Sequence, residues 1–372
     1  MHRPLLAAIG LATCIACATA QAAPRYTLEL LADLPGGNIT SQGMALNASG
    51  LVAGQSAAAD GYYATQWAAP SRLPVSLGDL PGGSVSSMVY GINDLGTTVG
   101  TAYGVGGLRG FRLSSGGTMQ ELSDLTGGSN ASAALAVNNA GVAVGYSYST
   151  TSGSNPVAVI WSSGATGLEL GDLPGGSYNS EARAINQAGV VAGVGTSATG
   201  KHAFLWTAEG GMVELPNLGG STWGQANGIN DGAWVVGYSL AAGTGGSYYH
   251  AALWRNGLVL DLGGGDFHSF ANDINNLGEV VGSFDNRAVF WTADQQRFDL
   301  AGLVDDLPGA MVLSNAMALN DAGQITGWAV NAAGNRVGYL LTPVSAVPEP
   351  AAWVLVLAGV LVAGPRLRRS RR

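Results

Sequence analysis

The chain has 372 residues, of which 47% are hydrophobic, 11% are charged and 58 are glycine, with a formal net charge of −8. So little charge at that hydrophobic content excludes a charge-driven disordered chain. Abundant glycine without a G-X-Y period excludes collagen and points to many tight turns, in a chain long enough to bury a large core.

The first segment reads as a secretory signal. Arg3 supplies positive charge, Leu5 to Ala18 is an uncharged apolar run, and Ala20-Gln21-Ala22 is a small-x-small cleavage site. Residues 1–22 are therefore expected to be removed by signal peptidase after Ala22. Cys14 and Cys17, the only cysteines, lie inside this run, so their C-x-x-C spacing carries no redox or metal meaning. Leu11-Ala12-Thr13-Cys14 is a poor lipobox because Thr precedes the Cys.

Seven repeats follow. Asp-Leu-Pro-Gly-Gly, with variations, begins at Asp33, Asp79, Asp124, Asp172, Asn217, Asp261 and Asp306. About fourteen residues later comes Asn-x-x-Gly-x-x-x-Gly, begun at Asn47, Asn93, Asn138, Asn186, Asn230, Asn275 and Asn320. Successive asparagines are 46, 45, 48, 44, 45 and 45 residues apart. A period near 45 is the size of a β-propeller blade.

Residues 172–217 show how one copy is built. Glu181 to Asn186 alternates, a turn at Asn186-Gln187-Ala188-Gly189 follows, and Val190 to Val194 is apolar and β-branched. A polar loop from Gly195 to Lys201 leads to His202 through Trp206, and Glu209-Gly210-Gly211 turns into Met212 to Leu215. That makes four short strands. His202, Phe204 and Trp206 share one face, Ala203 and Leu205 the other, and two largely apolar faces suit a sheet packed between sheets. The prediction is an all-β fold, a seven-bladed β-propeller with four-stranded blades over residues 23–346. A parallel β-helix would lack the hairpin turns, and helical solenoids would need a 3.6 period. Tyr26 to Leu30 looks like a fourth strand without its first three, and 315–342 like three strands without a fourth. Pairing 26–31 with 337–342 would close the last blade and remove an open edge.

Few residues point to chemistry. The recurring Asp reads as a cap on its own Pro-Gly-Gly turn, since Asn217 replaces it without loss of the pattern. The Asn-x-x-Gly set reads as hairpin turns whose Asn and Gly tolerate positive φ. No calcium loop, G-x-S-x-G elbow or H-E-x-x-H motif occurs, and no phosphate-binding glycine loop opens a helix. His202 and His250 occupy a structural strand position, leaving His268 as the one histidine of the repeats outside it. No catalytic residue, metal site or cofactor is predicted.

What varies between copies is more informative. Tyr178, Trp223 and Phe267 follow the glycines of consecutive repeats, where others carry Ile39, Val85, Asn130 and Val312. Ser239 to Tyr249, the longest loop between second and third strands, adds Tyr248 and Tyr249 on the same face. With His268 these form a predicted aromatic sector suited to sugars or a protein partner. His268, Asp266 and Asp285 break the repeat rule and are the acid-base candidates of the alternative reading, a polysaccharide hydrolase or lyase.

The last segment, 347–372, carries Pro348-Glu349-Pro350, an uncharged run from Ala351 to Gly364, and Arg366, Arg368, Arg369, Arg371 and Arg372. Fourteen helical residues reach ~21 Å against a ~30 Å hydrocarbon core, a marginal span. The arginines would hold that end in the cytoplasm, with the domain outside the inner membrane. The three-part tail resembles the PEP-CTERM sorting signal. That resemblance implies a Gram-negative bacterium producing exopolysaccharide, transient inner-membrane anchoring, and an exosortase that cuts near Pro348, Glu349 and Pro350. His202-Ala203-Phe204-Leu205-Trp206 and His250-Ala251-Ala252-Leu253-Trp254, with the two recurring phrases, resemble the HAF-repeat extracellular proteins over about residues 26–342. Gly110-Phe111-Arg112-Leu113 and Gly338-Tyr339-Leu340-Leu341 depart from that pattern in lacking both His and Trp. The family implies fold and location and brings no assigned reaction. Without Arg3, Glu349 and the five C-terminal arginines, 10 basic and 23 acidic residues remain, a net charge of −13 that disfavours nucleic acid. The expected function is a non-catalytic secreted surface or matrix protein that associates with exopolysaccharide or a surface protein.

Overall fold

The computed structural model describes residues 24–344 except 39, 129, 130, 151, 163 and 245. The predicted signal with Ala22, and the tail with Pro348, Glu349 and Pro350, lie outside the described residues. Within them are 28 strands, two short 3₁₀ turns (Leu218–Gly220 and Leu300–Leu303) and no α-helix. No described helix is long and apolar enough to cross a membrane.

The strands form five four-stranded sheets and one of eight, the latter being two runs of four joined by one parallel pair, Tyr62 with Ser86. Each run is an antiparallel meander. The core lies between sheets: each buried cluster draws on two consecutive runs, as where Val236, Ala251 and Leu253 meet Ala271 and Val289. One cluster joins the last run to the first, packing Ala318 and Leu340 on Leu46, Val52 and Trp67. The N-terminal strand Tyr26–Leu31 pairs antiparallel with Arg336–Pro343 from Tyr26↔Pro343 to Leu31↔Gly338, as the repeat count predicts. The Val344 amide also donates to the Arg25 carbonyl at 2.8 Å, so the two ends of the described chain meet.

The recurring residues explain themselves in this frame. Asp33, Asp79 and Asp172 each accept a backbone N–H seven residues on, from Thr40, Ser86 and Asn179 at 2.8–2.9 Å, and so cap their turns. The asparagines do more than turn. Each side-chain amide donates to the carbonyl of the next repeat's Asn, from Asn47 to Asn93 at 3.2 Å round to Asn320 and Asn47 at 3.0 Å, in an unbroken circle of seven bonds. Each Oδ1 accepts the amide four residues on within its own turn, as from Val190 to Asn186 at 2.9 Å. The left-handed residue is not Asn but the glycine three positions later, such as Gly189 at φ 82°, with Ala233 forced to φ 57° in the fifth copy. The last glycine of the phrase answers a different need: a Cβ on Gly193 would lie 2.0 Å from the Glu181 carbonyl, and on Gly54 1.9 Å from that of Gln42. Trp67, Trp161 and Trp254 send indole N–H groups to the carbonyls just before Asp33, Asp124 and Asn217, and Trp291 sends its own to the Leu262 carbonyl, at 2.6–3.1 Å, stapling neighbouring sheets.

Two loop expectations are corrected. The polar stretch 195–201 is mostly strand: Val191–Ser197 and Gly200–Thr207 pair up to Ser197↔Gly200, because Gly200 at φ 143° permits a two-residue turn. Likewise Val235–Ala242 and Ser247–Arg255 pair through Leu240↔Tyr249 and Ala241↔Tyr248. Tyr248 and Tyr249 therefore stand on a strand, not in a loop.

Candidate ligand-binding site: a central cavity with an aromatic rim

The first strand of every repeat carries a β-bulge three residues before its Asn, where one residue has no partner across the ladder. A bulge re-aims a side chain, and all seven bulged residues line one central cavity of about 460 Å³. They divide it. Met317, Met44, Tyr90 and Leu135, on consecutive repeats round the circle, make an apolar wall; Arg183, Asn227 and Asn272 make a polar one.

The polar wall is internally bonded. Arg183 Nη1 meets Glu181 Oε2 at 2.9 Å, and its Nε donates to Asn227 Oδ1 at 3.2 Å. Gln225 Nε2 donates to the same oxygen at 2.9 Å, and Asn272 Nδ2 donates to Asn315 Oδ1 at 2.7 Å. The ion pair is felt by phenols of the flanking sheets: burial first, then the Glu181 charge, pushes Tyr146 up to about 12, and burial likewise raises Tyr238.

The position just after the bulge breaks the repeat most sharply. Two positions ahead of each Asn stand Ala45, Gly91, Ala136, Ala184, Gly228 and Ala318, but also Asp273. The space is tight: a Cβ on Gly228 would sit 3.1 Å from the Asp273 Cα of the next sheet. Asp273 reaches across the following junction to accept the Leu319 amide at 3.0 Å, and accepts the Ile274 amide at 2.9 Å. Burial raises its carboxyl to about 7; the two amides pull the other way and Asp321 adds to the rise.

Rings gather at the mouth near the Asp-Leu turns. Trp223 stacks on Tyr238 at 5.2 Å, Tyr249 lies 5.2 Å from Trp223 and 5.5 Å from Tyr238, and Phe270 meets Tyr238 edge-on at 4.9 Å. His268 lies 5.6 Å from Tyr249 and 5.5 Å from Tyr248, and its Nδ1 accepts the Tyr249 amide at 3.1 Å. Tyr238 and Phe270 belong to both the rim and the cavity lining.

Of the predicted sector, Trp223, Tyr248, Tyr249 and His268 come together. Phe267 does not join them: it packs on Phe284 at 5.7 Å, whose ring lies under the Arg297 guanidinium at 3.5 Å. Tyr178 is 43% exposed in a left-handed turn and, among the described residues, touches no other ring. Of the acid-base candidates, Asp266 holds the Thr244 amide at 2.8 Å and its hydroxyl, fastening a hairpin, and Asp285 is a left-handed hairpin residue. His202 and His250 are buried and tied within their sheets, His250 Nδ1 to Asp261 at 2.8 Å and His202 Nε2 to the Thr199 hydroxyl at 3.1 Å. Sequence reading missed Tyr238, Phe270, Arg183, Asn227, Asn272 and Asp273; aligning the seven copies position by position flags the last four.

Beneath the cavity, Leu46, Ile185, Ile229 and Asp273 also line a second space of about 170 Å³ on the asparagine side, and so border both. Among the described residues no group of three or more His, Cys, Asp or Glu could hold a metal ion.

No protein-family model and no curated protein matches this chain. An X-ray structure of a candidate gluconolactonase aligns with it at a TM-score of 0.42 and 11% identity, over 86% of this chain and 92% of that one. A likeness that slight carries no argument about either fold or activity.

Proposed function

We propose that this chain is a secreted, non-catalytic surface or matrix protein of the HAF-repeat kind, a seven-bladed β-propeller whose rimmed face binds exopolysaccharide. Seven blades are supported by the circle of seven asparagine bonds and by the Tyr26–Leu31 strand on the last sheet. Export rests on the signal-like residues 1–22 and the PEP-CTERM-like tail, with exosortase acting near Pro348-Glu349-Pro350. Because the strands alternate in direction, both ends of the described chain leave on the asparagine-turn side. An anchored precursor would then present the aromatic rim away from the membrane.

One observation carries the binding reading: stacked aromatic rings stand over a cavity walled by amides and by Arg183, whose charge Glu181 compensates from behind the lining. Ring faces suit the C–H faces of sugars, and amides suit their hydroxyls. Glycoside hydrolysis ordinarily needs two carboxyl groups flanking the bond. Among the described lining residues Asp273 is the one carboxylate, and two backbone amides already engage it, which favours binding over the hydrolase alternative.

Affinity electrophoresis tests this reading, in gels cast with a neutral β-glucan, a mannan, or alginate. A neutral polymer should retard the wild type and not Trp223→Ala/Tyr249→Ala. Equal mobility of the wild type in every gel would contradict it.

A further inference from the structure

We infer that the cavity holds the terminal sugar residue of an uncharged polysaccharide, so that the protein grips chain ends; this rests on the polysaccharide-binding reading above. Below, the cavity borders the smaller space of about 170 Å³. Leu46, Ile185 and Ile229 are each only 9% exposed although they border both spaces, and the asparagine circle lies beyond them. The step from about 460 to about 170 Å³ toward the asparagine circle suits the end of a chain or a short branch better than a chain passing through.

The walls fit a single sugar ring. Methionine and leucine side chains face one side, while Asn227, Asn272 and Arg183 offer donors and acceptors on the other. A ring with an apolar face and equatorial hydroxyls presents that same division. At about 460 Å³ the space lies toward the small end of ligand pockets, which run roughly 300–1,000 Å³.

Charge selects against acidic sugars. Arg183, the one cation of the lining among the described residues, is neutralised by Glu181 at 2.9 Å, and the mature domain is strongly acidic. The continuity of Tyr238 and Phe270 from rim to lining lets the penultimate residues stack outside while the last one enters. None of these polar residues is required by the repeat, since Met, Tyr and Leu serve at the same position elsewhere.

Plugging the cavity from its apolar wall tests the inference without touching the rim. Leu135→Trp is the first variant, and Met44→Trp serves if the first fails to fold by circular dichroism. The probes are the cello-, laminari-, manno- and malto-tetraoses and tetragalacturonate, measured by titration calorimetry beside the polymer gels. At least one neutral tetrasaccharide should bind the wild type, and the plug should weaken it by about tenfold or more. If the plug leaves tetrasaccharide affinity unchanged while Trp223→Ala/Tyr249→Ala loses polymer retardation, the rim binds and the cavity inference falls alone. Polymer retardation with no neutral tetrasaccharide binding also overturns it, as does tighter binding of tetragalacturonate. Loss of both signals in the wild type would overturn the binding reading itself.

Discussion

The two ends of the central cavity are built from the same seven strands and behave in opposite ways. At the asparagine end every copy does one thing: donate an amide to the next copy and accept one from its own turn. At the rimmed end the copies diverge, and adjacent repeats offer Arg183, Asn227 and Asn272 where others offer Met44, Tyr90 and Leu135. A circle of identical bonds has little slack for variation, because one missing Asn side chain leaves the buried amide of its own turn unpaired and takes one of two bonds from the next carbonyl. A side chain aimed into a cavity has no such partner to lose. Uniformity thus marks what holds the ring, and divergence marks what the ring can hold.

The comparison breaks first at the glycines. Gly193→Ala puts a methyl 2.0 Å from the Glu181 carbonyl and should destabilise by at least about 3 kcal/mol. A melting temperature near that of the wild type would mean the close approach is not required. Next is the circle. Asn186→Ala orphans the Val190 amide and takes one of two bonds from the Asn230 carbonyl, which keeps that of the Ala233 amide, and should lower unfolding free energy in urea by roughly 2–3 kcal/mol.

Asp273 sharpens the boundary, since it lies at a structural position and lines the site. Its folded carboxyl, raised to about 7 by burial, holds a proton more tightly than in the unfolded chain. Stability from this group is therefore lost as pH rises from about 4 toward 7, then stays flat. Asp273→Ala, the residue of four other copies, should stabilise by on the order of 2 kcal/mol at pH 8 and little at pH 4. An equal effect at both pH values would place the carboxyl in the ordinary range. The smallest effect is at Ala233, whose φ of 57° suits glycine: Ala233→Gly should stabilise by about 0.5–1 kcal/mol in thermal unfolding.

Strand count, the Asp turn caps of three copies and the pairing of the N-terminal strand were legible as repetition, whereas Asp124 is tied to Arg109 and Asn217 donates to the Lys201 and Ser221 carbonyls instead. The cavity was not. Period-two alternation assigns faces only while the ladder stays in register, and the bulge at Met44, Tyr90, Leu135 and their counterparts breaks it. Nor could residue type show that Tyr248 and Tyr249 continue a strand rather than a loop; the turn that allows it is set by Gly243 donating to the Gly246 carbonyl. Asp273 was visible all along as the one carboxylate in a column of Gly and Ala, but attention to loops passed over an inner strand.

Scaffold and site separate most directly in the polysaccharide affinity of Asn186→Ala, measured below its melting transition beside Trp223→Ala/Tyr249→Ala. The circle variant should melt earlier yet bind like the wild type, while the rim variant melts normally and does not bind. Lost affinity in a folded Asn186→Ala, or retained affinity in the rim variant, would contradict the division of this molecule into a uniform holding end and a divergent binding end.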